Sequence, residues 1–222
     1  MIIPYQQCRA IIQSIYNNYP RKVLHIGAHH AEEAEDYKNN GVEEVIWVES
    51  NESLIPALVE NIKRFGDMRQ QVLELTLWNR DEVLKFNVNS NSMCSSILEL
   101  GTHLDWYPGY TVAEEKSVQA HRLDTILNDT EQHLMFNDFE FINIDTQGAE
   151  LAILEGFGDY IKSPSIKGIY LEVNVEELYK GGPMIADLDN FLNPFGYVRV
   201  ITGICPHKWG DALWIKPSDF RT

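Results

Sequence analysis

This chain of 222 residues has few cysteines, few basic side chains and no long apolar run, and each shortage excludes a class of protein. Its three cysteines, Cys8, Cys94 and Cys205, lie far apart and never in CxxC spacing, so they indicate neither a disulfide framework nor a zinc site. No stretch approaches the roughly 18 consecutive apolar residues of a membrane-spanning helix, and the first residues lack the pattern of a secretion signal. We therefore expect a cytoplasmic protein that does not bind membranes.

Lysine and arginine are scarce: together they number 18 against 33 aspartates and glutamates, and the formal net charge is -15. Such a chain repels a phosphate backbone, so we do not expect nucleic acid as a partner. The 44% hydrophobic content is sufficient for a core, and the length favours one large domain. The sequence carries no signal for an oligomeric state.

Short apolar runs alternate with helical patterns along most of the chain. A helix at 6–17 forms an N-terminal lead-in over residues 1–21, and the main domain is expected over 22–222. Strands are predicted at 22–26, 44–49, 71–76, 139–145, 168–173, 197–201 and 212–215, and helices at 30–39, 53–65, 123–127, 149–161 and 185–192. This order predicts an α/β fold whose mostly parallel sheet has helices on both faces. The last strand should run antiparallel, because its connection is too short for a crossover helix.

The middle of the chain, at about residues 78–119, is predicted to be a substrate-binding excursion. One alternating strand at 83–88 is followed by the polar NSNSMCSS and the aromatic HLDWYPGY. Ser95, Ser96 and Trp106 are its candidate substrate-binding residues. Turn formation explains the serines equally well, and packing of the excursion is the simpler explanation of the aromatic side chain.

The stretch VLHIGAHHAEEAEDY, residues 23–37, suits a nucleoside ligand but lacks the glycines of a dinucleotide loop. In a doubly wound sheet the ligand lies where the first strand turns into its helix, and an acid about 20 residues further on binds the ribose. Glu49 has that spacing from Gly27. A pyrophosphate requires further glycines where this chain has His29 and Glu32, and the acid would repel it. S-adenosylmethionine carries an ammonium and a sulfonium but no phosphate, so this turn favours it over a nicotinamide dinucleotide.

Four segments resemble the FkbM family of S-adenosylmethionine-dependent methyltransferases: VLHIGAHHAEEAEDY, HRLDTIL, FINIDTQGAELAILEG and YLEVNVEELYKGGP. The resemblance implies a Rossmann-like class I methyltransferase fold with a seven-stranded sheet, and S-adenosylmethionine as the cofactor. It also implies O-methylation of a hydroxyl on a sugar or another small metabolite. The residues then expected to bind the cofactor are His25, Gly27, Ala28, His29, Glu49, Ser50 and Asp145.

The candidate catalytic residues lie where predicted strands end or turn into helices. A hydroxyl acceptor benefits from a base, and His30, Asp145 and Glu172 are our candidates for it. Glu150 and Asn174 complete the expected substrate-binding set. Asp145 as a helix cap and Glu150 as a partner of the helix dipole are equally good structural interpretations. No fixed metal-ligand spacing is present, so no metal is predicted.

Two positions depart from the family pattern, since His25 replaces a usual acid and Ala31 a usual glycine. They motivate an alternative, a degenerate module that binds S-adenosylmethionine without catalysing its reaction. A nicotinamide-dependent oxidoreductase is a further alternative, based on the same strand, turn and helix followed by Glu49.

Overall fold

A computed structural model describes residues 1–127 and 138–217. The first part contains α1 (Tyr5–Tyr16), β1 (Lys22–Ile26), α2 (Ala34–Asn39), β2 (Glu44–Glu49), α3 (Ile55–Ile62), β3 (Arg69–Glu74), β4 (Thr76–Leu77), β5 (Glu82–Asn89), α4 (His103–Trp106), β6 (Val112–His121) and α5 (Leu123–Leu127). The second part contains β7 (Phe141–Ile144), α6 (Glu150–Gly156), β8 (Gly168–Asn174), α7 (Ile185–Leu192), β9 (Val198–Ile204) and β10 (Trp209–Ile215).

Seven strands form the main sheet, in the order β3-β2-β1-β7-β8-β10-β9. Neighbouring strands from β3 to β8 pair in parallel, whereas β10 is antiparallel to both β8 and β9. The predicted sheet and its antiparallel last strand are confirmed. Strand β1 lies between β2 on one side and β7 on the other, so the order of the strands along the chain reverses there. Such a switch point opens a crevice at the carboxyl ends of the strands.

The two faces of this sheet pack against different helices. Val23 and Leu24 are consecutive on β1 and lie in separate apolar cores, because side chains alternate along a strand. The core around Leu24 includes Leu154 of α6, and the core around Val23 includes Ile12 of α1. The predicted helical cover of both faces is confirmed, and the lead-in helix belongs to the second core. Within the described residues, no helix has the length and apolarity that crossing a membrane would require.

The middle of the chain forms a second sheet that the sequence did not predict. Its three strands lie in the order β4-β6-β5, and β6 pairs antiparallel with β5 along the length of that strand. Strand β5 was predicted, but β6 was missed because most of its side chains are exposed and the polar run at 114–117 interrupts any apolar alternation. The substrate-binding role of residues 78–119 stays a prediction.

Several helices differ from their predicted bounds for local reasons. The helix predicted at 30–39 begins only at Ala34, since His29 and Ala31 adopt positive φ angles of 46° and 56° that no α-helix contains. The helix predicted at 149–161 is α6, which ends at Gly156 and is followed by a 3₁₀ turn, Gly158–Lys162. Gly158 has a φ of +53°, which separates the two segments.

Candidate functional site

A cavity of about 320 Å³ opens at the carboxyl ends of β1, β2, β7 and β8. The turn after β1 forms one wall and requires Gly27. The φ of this residue is +85°, and a Cβ here would lie 1.8 Å from the carbonyl oxygen of Asp145. The main-chain N–H groups of Gly27 and Ala28 donate to the carbonyl of Val48 at 2.9 and 3.0 Å. Glycine therefore lets the ends of β1, β2 and β7 approach closely around the cavity.

Glu49, at the end of β2, lines the cavity and holds the turn in place. One carboxylate oxygen accepts the main-chain N–H of His29 at 2.7 Å, and the other accepts that of Asn51 at 2.7 Å. Burial raises the pKa of Glu49 above its usual value, although these hydrogen bonds oppose the shift. Ser50 and His29 also line the cavity, so the predicted cofactor-binding residues on β1 and β2 lie together.

His25 lies on β1 beneath the turn and is only 2% exposed. Its Nδ1 atom is 3.0 Å from the Tyr37 hydroxyl, and its ring lies against that of Trp47 at a tilt of 37°, with centroids 5.0 Å apart. Burial lowers the pKa of His25 to about 3, so the imidazole is neutral and cannot pair with a cofactor cation as an acid would.

Glu33 supplies a carboxylate beside His25, a position that sequence reasoning missed. Its Oε2 atom is 4.0 Å from His25 Nε2, and the residue lines the cavity. Burial raises its pKa. Glu33 follows the turn, so no strand pattern marked it. The sequence shows that Glu33 belongs to the acidic run after Gly27, but it does not show that this residue lines the cavity.

Asp145 and Glu172, at the ends of β7 and β8, are joined by one amide. The Nε2 atom of Gln147 donates to Asp145 Oδ1 at 2.7 Å and to Glu172 Oε2 at 2.8 Å. Gln147 is itself fixed, because its Oε1 accepts the Tyr179 hydroxyl at 2.5 Å and its carbonyl accepts the Ser96 hydroxyl at 2.8 Å. Two predicted catalytic carboxylates therefore lie together, held by Gln147, which the prediction did not include.

Both carboxylates hold protons more strongly than free acids do. Burial, with the nearby charge of Asp211, raises the pKa of Asp145 to about 6, while the Gln147 amide opposes the shift. Burial and the charge of Asp145 raise the pKa of Glu172 well above its usual value. Asp211, on β10, also lines the cavity and accepts hydrogen bonds from the Tyr170 hydroxyl and the main chain of Ile3.

Glu150 and Asn174 are buried but do not line the cavity. Glu150 Oε1 accepts the main-chain N–H groups of Thr146 and Gly148 at 2.9 and 3.1 Å, which fixes the loop carrying Gln147. Burial raises the pKa of Glu150 to about 7. Its contacts therefore favour the structural interpretation over direct substrate binding.

The second sheet and its loops form the outer wall. Ser92, Ser95 and the aromatic residues His103, Tyr107 and Tyr110 line it. The Tyr107 and Tyr110 rings are stacked, with centroids 5.1 Å apart and planes 7° apart. This wall offers hydroxyls and ring faces to a polar ligand.

Besides Glu150 and Asn174, three further predicted site residues lie outside the cavity lining. Ser96 is buried and binds the main chain of Gln147. Trp106 is 40% exposed and packs near His207. The side chain of His30 is 39% exposed, on the outer side of the turn. The structure therefore does not bring these three residues to the cavity, and their functional roles stay predictions.

Carboxylates dominate the charge of the cavity, although Met1 also lines it and places its N-terminal ammonium 3.6 Å from Glu33 Oε1. Among the described residues, its lining contains six carboxylates and neither lysine nor arginine; the carboxylates belong to Glu32, Glu33, Glu49, Asp145, Glu172 and Asp211. Such a lining stabilises cations and uncharged polar groups and repels phosphates and carboxylates.

Comparison with known proteins agrees with this geometry. Over residues 25–199 the chain matches the model of the methyltransferase FkbM domain. No curated protein matches the sequence. A ribosomal protein L11 methylase from Lactobacillus delbrueckii subsp. bulgaricus has a similar structure, with 10% identity, a TM-score of 0.52, and coverage of 95% of this chain and 77% of that one. This similarity shows the fold alone.

Two further solved structures are similar at a lower level. Precorrin-6y C5,15-methyltransferase from Geobacter metallireducens has 13% identity and a TM-score of 0.49, with 97% of this chain and 90% of that one covered. TrmK from M. capricolum, in complex with S-adenosyl-homocysteine, has 12% identity and a TM-score of 0.48, with 93% and 67% covered.

The family match covers most of the chain and includes the turn after β1, Glu49, and the loop from Asp145 to Glu150. The chain therefore belongs to the FkbM methyltransferase family, and its cofactor is S-adenosylmethionine.

Proposed function

We propose that this protein is an O-methyltransferase that acts on a hydroxyl of an uncharged sugar or other small polar metabolite. The observation that carries the proposal is the pair of carboxylates, Asp145 and Glu172, joined by Gln147 in a cavity whose described lining contains no lysine or arginine. A cavity of this charge disfavours phosphorylated and carboxylated acceptors, and it disfavours nucleic acid.

The residues around the turn suit S-adenosylmethionine. Gly27 provides a close backbone approach that a side chain would block, and Glu49 places a carboxylate where a ribose hydroxyl can donate to it. Glu33 and Asp145 present carboxylates on which the ammonium and sulfonium groups of the cofactor can be stabilised. When bound, S-adenosylmethionine supplies a methyl group activated by its positively charged sulfur.

The chain's own contribution to methyl transfer is orientation and removal of a proton. As the acceptor oxygen forms a bond to the methyl carbon, the bond from that carbon to sulfur breaks and its electron pair stays on the sulfur, which becomes a neutral thioether. The acceptor hydroxyl loses its proton in this step, so a nearby group must accept it. Burial raises the pKa of Asp145 to about 6 and that of Glu172 well above its usual value, which makes an ionised carboxylate here a stronger base than a free one. We assign the base to this pair. Gln147 keeps one oxygen of each carboxylate occupied.

A methyl-transfer assay with radiolabelled S-adenosylmethionine tests the proposal. Uncharged sugars and polyols, each paired with its phosphorylated counterpart, are the acceptors. We expect transfer to a member of the uncharged set, none to its phosphorylated partner, and a loss of at least tenfold in Glu172→Gln. Glu176→Gln, on the surface after the same strand, is the matched control. Preference for the phosphorylated partner would refute the proposal.

The degenerate binding module remains the alternative, because His25 is neutral and buried and replaces the usual acid. Binding of S-adenosylmethionine by calorimetry, without turnover on any acceptor, would favour it. The nicotinamide oxidoreductase gains no support, since the carboxylates beside the turn would repel a pyrophosphate.

A further inference from the structure

Two imidazoles and one carboxylate meet at the rim of the cavity. The Nδ1 atoms of His29 and His30 lie 2.6 Å and 3.8 Å from the same atom, Oε1 of Glu32. One ligating atom from each residue lies within 4.8 Å of the other two. Tetrahedral donors about 2.1 Å from a zinc ion are roughly 3.4 Å apart. Small side-chain rotations therefore suffice to bring all three atoms around one ion.

We propose that His29, His30 and Glu32 form a binding site for a divalent transition-metal ion. Two imidazole nitrogens and one carboxylate oxygen suit Zn²⁺, Ni²⁺ or Co²⁺, whereas Mg²⁺ and Ca²⁺ take oxygen ligands. Three protein ligands leave at least one coordination position for water or for an oxygen of a bound molecule.

The backbone of the turn brings the two rings together. His29 and Ala31 have φ angles of +46° and +56°, a left-handed conformation that is unfavourable for non-glycine residues. Consecutive side chains point apart in an extended strand, yet the ring centroids of His29 and His30 are only 4.0 Å apart. Asn61 fixes this geometry from α3, because its amide donates to the carbonyl oxygens of His30 and Ala31 at 2.6 and 3.3 Å.

Two of the proposed ligands, His29 and Glu32, also form hydrogen bonds through their second polar atom, as the ligands of metal sites commonly do. His29 Nε2 lies 2.9 Å from the Ser92 hydroxyl, so a proton on Nε2 leaves Nδ1 free to bind an ion. The second oxygen of Glu32, Oε2, accepts the main-chain N–H of His30 at 3.2 Å. A simple hydrogen bond from His29 to Glu32 explains their 2.6 Å contact, but it does not require His30. The test therefore depends on His30.

The site lies between the cavity and solvent. His29 and Glu32 line the cavity, while His30 closes the outer side of the turn. An ion here would add positive charge to an acidic cavity, and its open coordination position could hold an acceptor oxygen and lower the pKa of its hydroxyl. Binding of the ion does not depend on the proposed methyl transfer. The metal site and the proposed activity can therefore be refuted separately.

Calorimetric titration of the metal-free full chain with Zn²⁺ and Ni²⁺ tests the site, with the visible absorption of added Co²⁺ as a spectroscopic readout. We expect one ion per chain in the wild type. His30→Ala and Glu32→Gln should each lower the affinity at least tenfold and remove the Co²⁺ bands, and Ser92→Ala should lower the affinity by a smaller factor. His30→Gln repeats the comparison with side-chain bulk retained.

His121→Ala is the matched control, because His121 also lies beside a carboxylate, Asp81, but at the surface and away from the turn. It should leave affinity and spectrum unchanged, and circular dichroism should show that every variant is folded. Failure of the folded wild type to bind either ion would overturn the proposal. Equal affinity in the wild type and His30→Ala, or an equal loss in His121→Ala, would overturn it as well.

Discussion

Replacing Gln147 with alanine should separate the two carboxylates that it joins. The variant loses the Nε2 hydrogen bonds to Asp145 and Glu172, at 2.7 and 2.8 Å, and the acceptor of the Tyr179 hydroxyl. The main-chain carbonyl still accepts the Ser96 hydroxyl, so the loop keeps part of its support. The change therefore acts mainly on the carboxylate pair.

The size of the effect follows from these contacts. A hydrogen bond to a charged group contributes about 1.5–3 kcal/mol. Water in the open cavity replaces part of the two lost bonds, so we expect a net loss of roughly 2 kcal/mol, which corresponds to about a 30-fold lower kcat. The Gln147 amide also lowers the pKa of Asp145, so its removal should raise that pKa further.

The assay is methyl transfer measured from pH 5 to 9 on an acceptor found in the screen. If an ionised carboxylate is the base, activity falls as pH drops through its pKa, and a raised pKa moves this acid limb toward higher pH. Gln147→Glu should lose still more activity, because a third carboxylate repels the other two. Gln7→Ala, on the exposed face of α1, is the control. A kcat within twofold of the wild type with an unmoved acid limb would refute the reasoning.

Four further outcomes are expected. Gly27→Ala should lower the melting temperature and abolish S-adenosylmethionine binding in calorimetry, because its Cβ would meet the Asp145 carbonyl at 1.8 Å; wild-type binding would show that the turn can open. Glu49→Ala should weaken that binding about tenfold, or 1.4 kcal/mol, and unchanged affinity would remove Glu49 from the site. Glu33→Gln should weaken binding of S-adenosylmethionine more than that of methylthioadenosine, which lacks the ammonium, whereas equal losses would contradict the role of Glu33. Burial raises the pKa of Glu150 to about 7, so the folded state binds its proton more tightly and unfolding free energy should fall as pH rises from about 4.5 to 7. Urea denaturation across this range should show a smaller fall in Glu150→Gln, and an identical fall would contradict the assignment.

The central strands of the main sheet could be predicted from the sequence because most of their residues are apolar and buried on both faces. Strands β1, β2, β7 and β8 are almost wholly buried, and a continuous apolar run is the mark of such a strand. Strand β6 shows the limit of that argument. Its pairing with β5 depends on main-chain hydrogen bonds and not on an apolar face, so its side chains carried little signal.

The candidate site divides in the same way. Gly27, Glu49, Asp145 and Glu172 lie at strand ends, and parallel strands bring their carboxyl ends to one edge, so strand prediction alone placed them near each other. Gln147 comes from the loop after β7, and no strand periodicity fixes the direction of its side chain. Its role became visible only when its amide was found between the two carboxylates.

By itself, the sequence determined the α/β order, the cofactor turn and the acidic balance that disfavours phosphate ligands, because these depend on local pattern and composition. Only the tertiary structure decided that the Glu33 carboxylate lies beside His25, and that the rings of His29 and His30 meet at Glu32. Such contacts depend on φ angles and on the packing of segments distant in sequence. Both are fixed by the whole fold and leave no period in the chain.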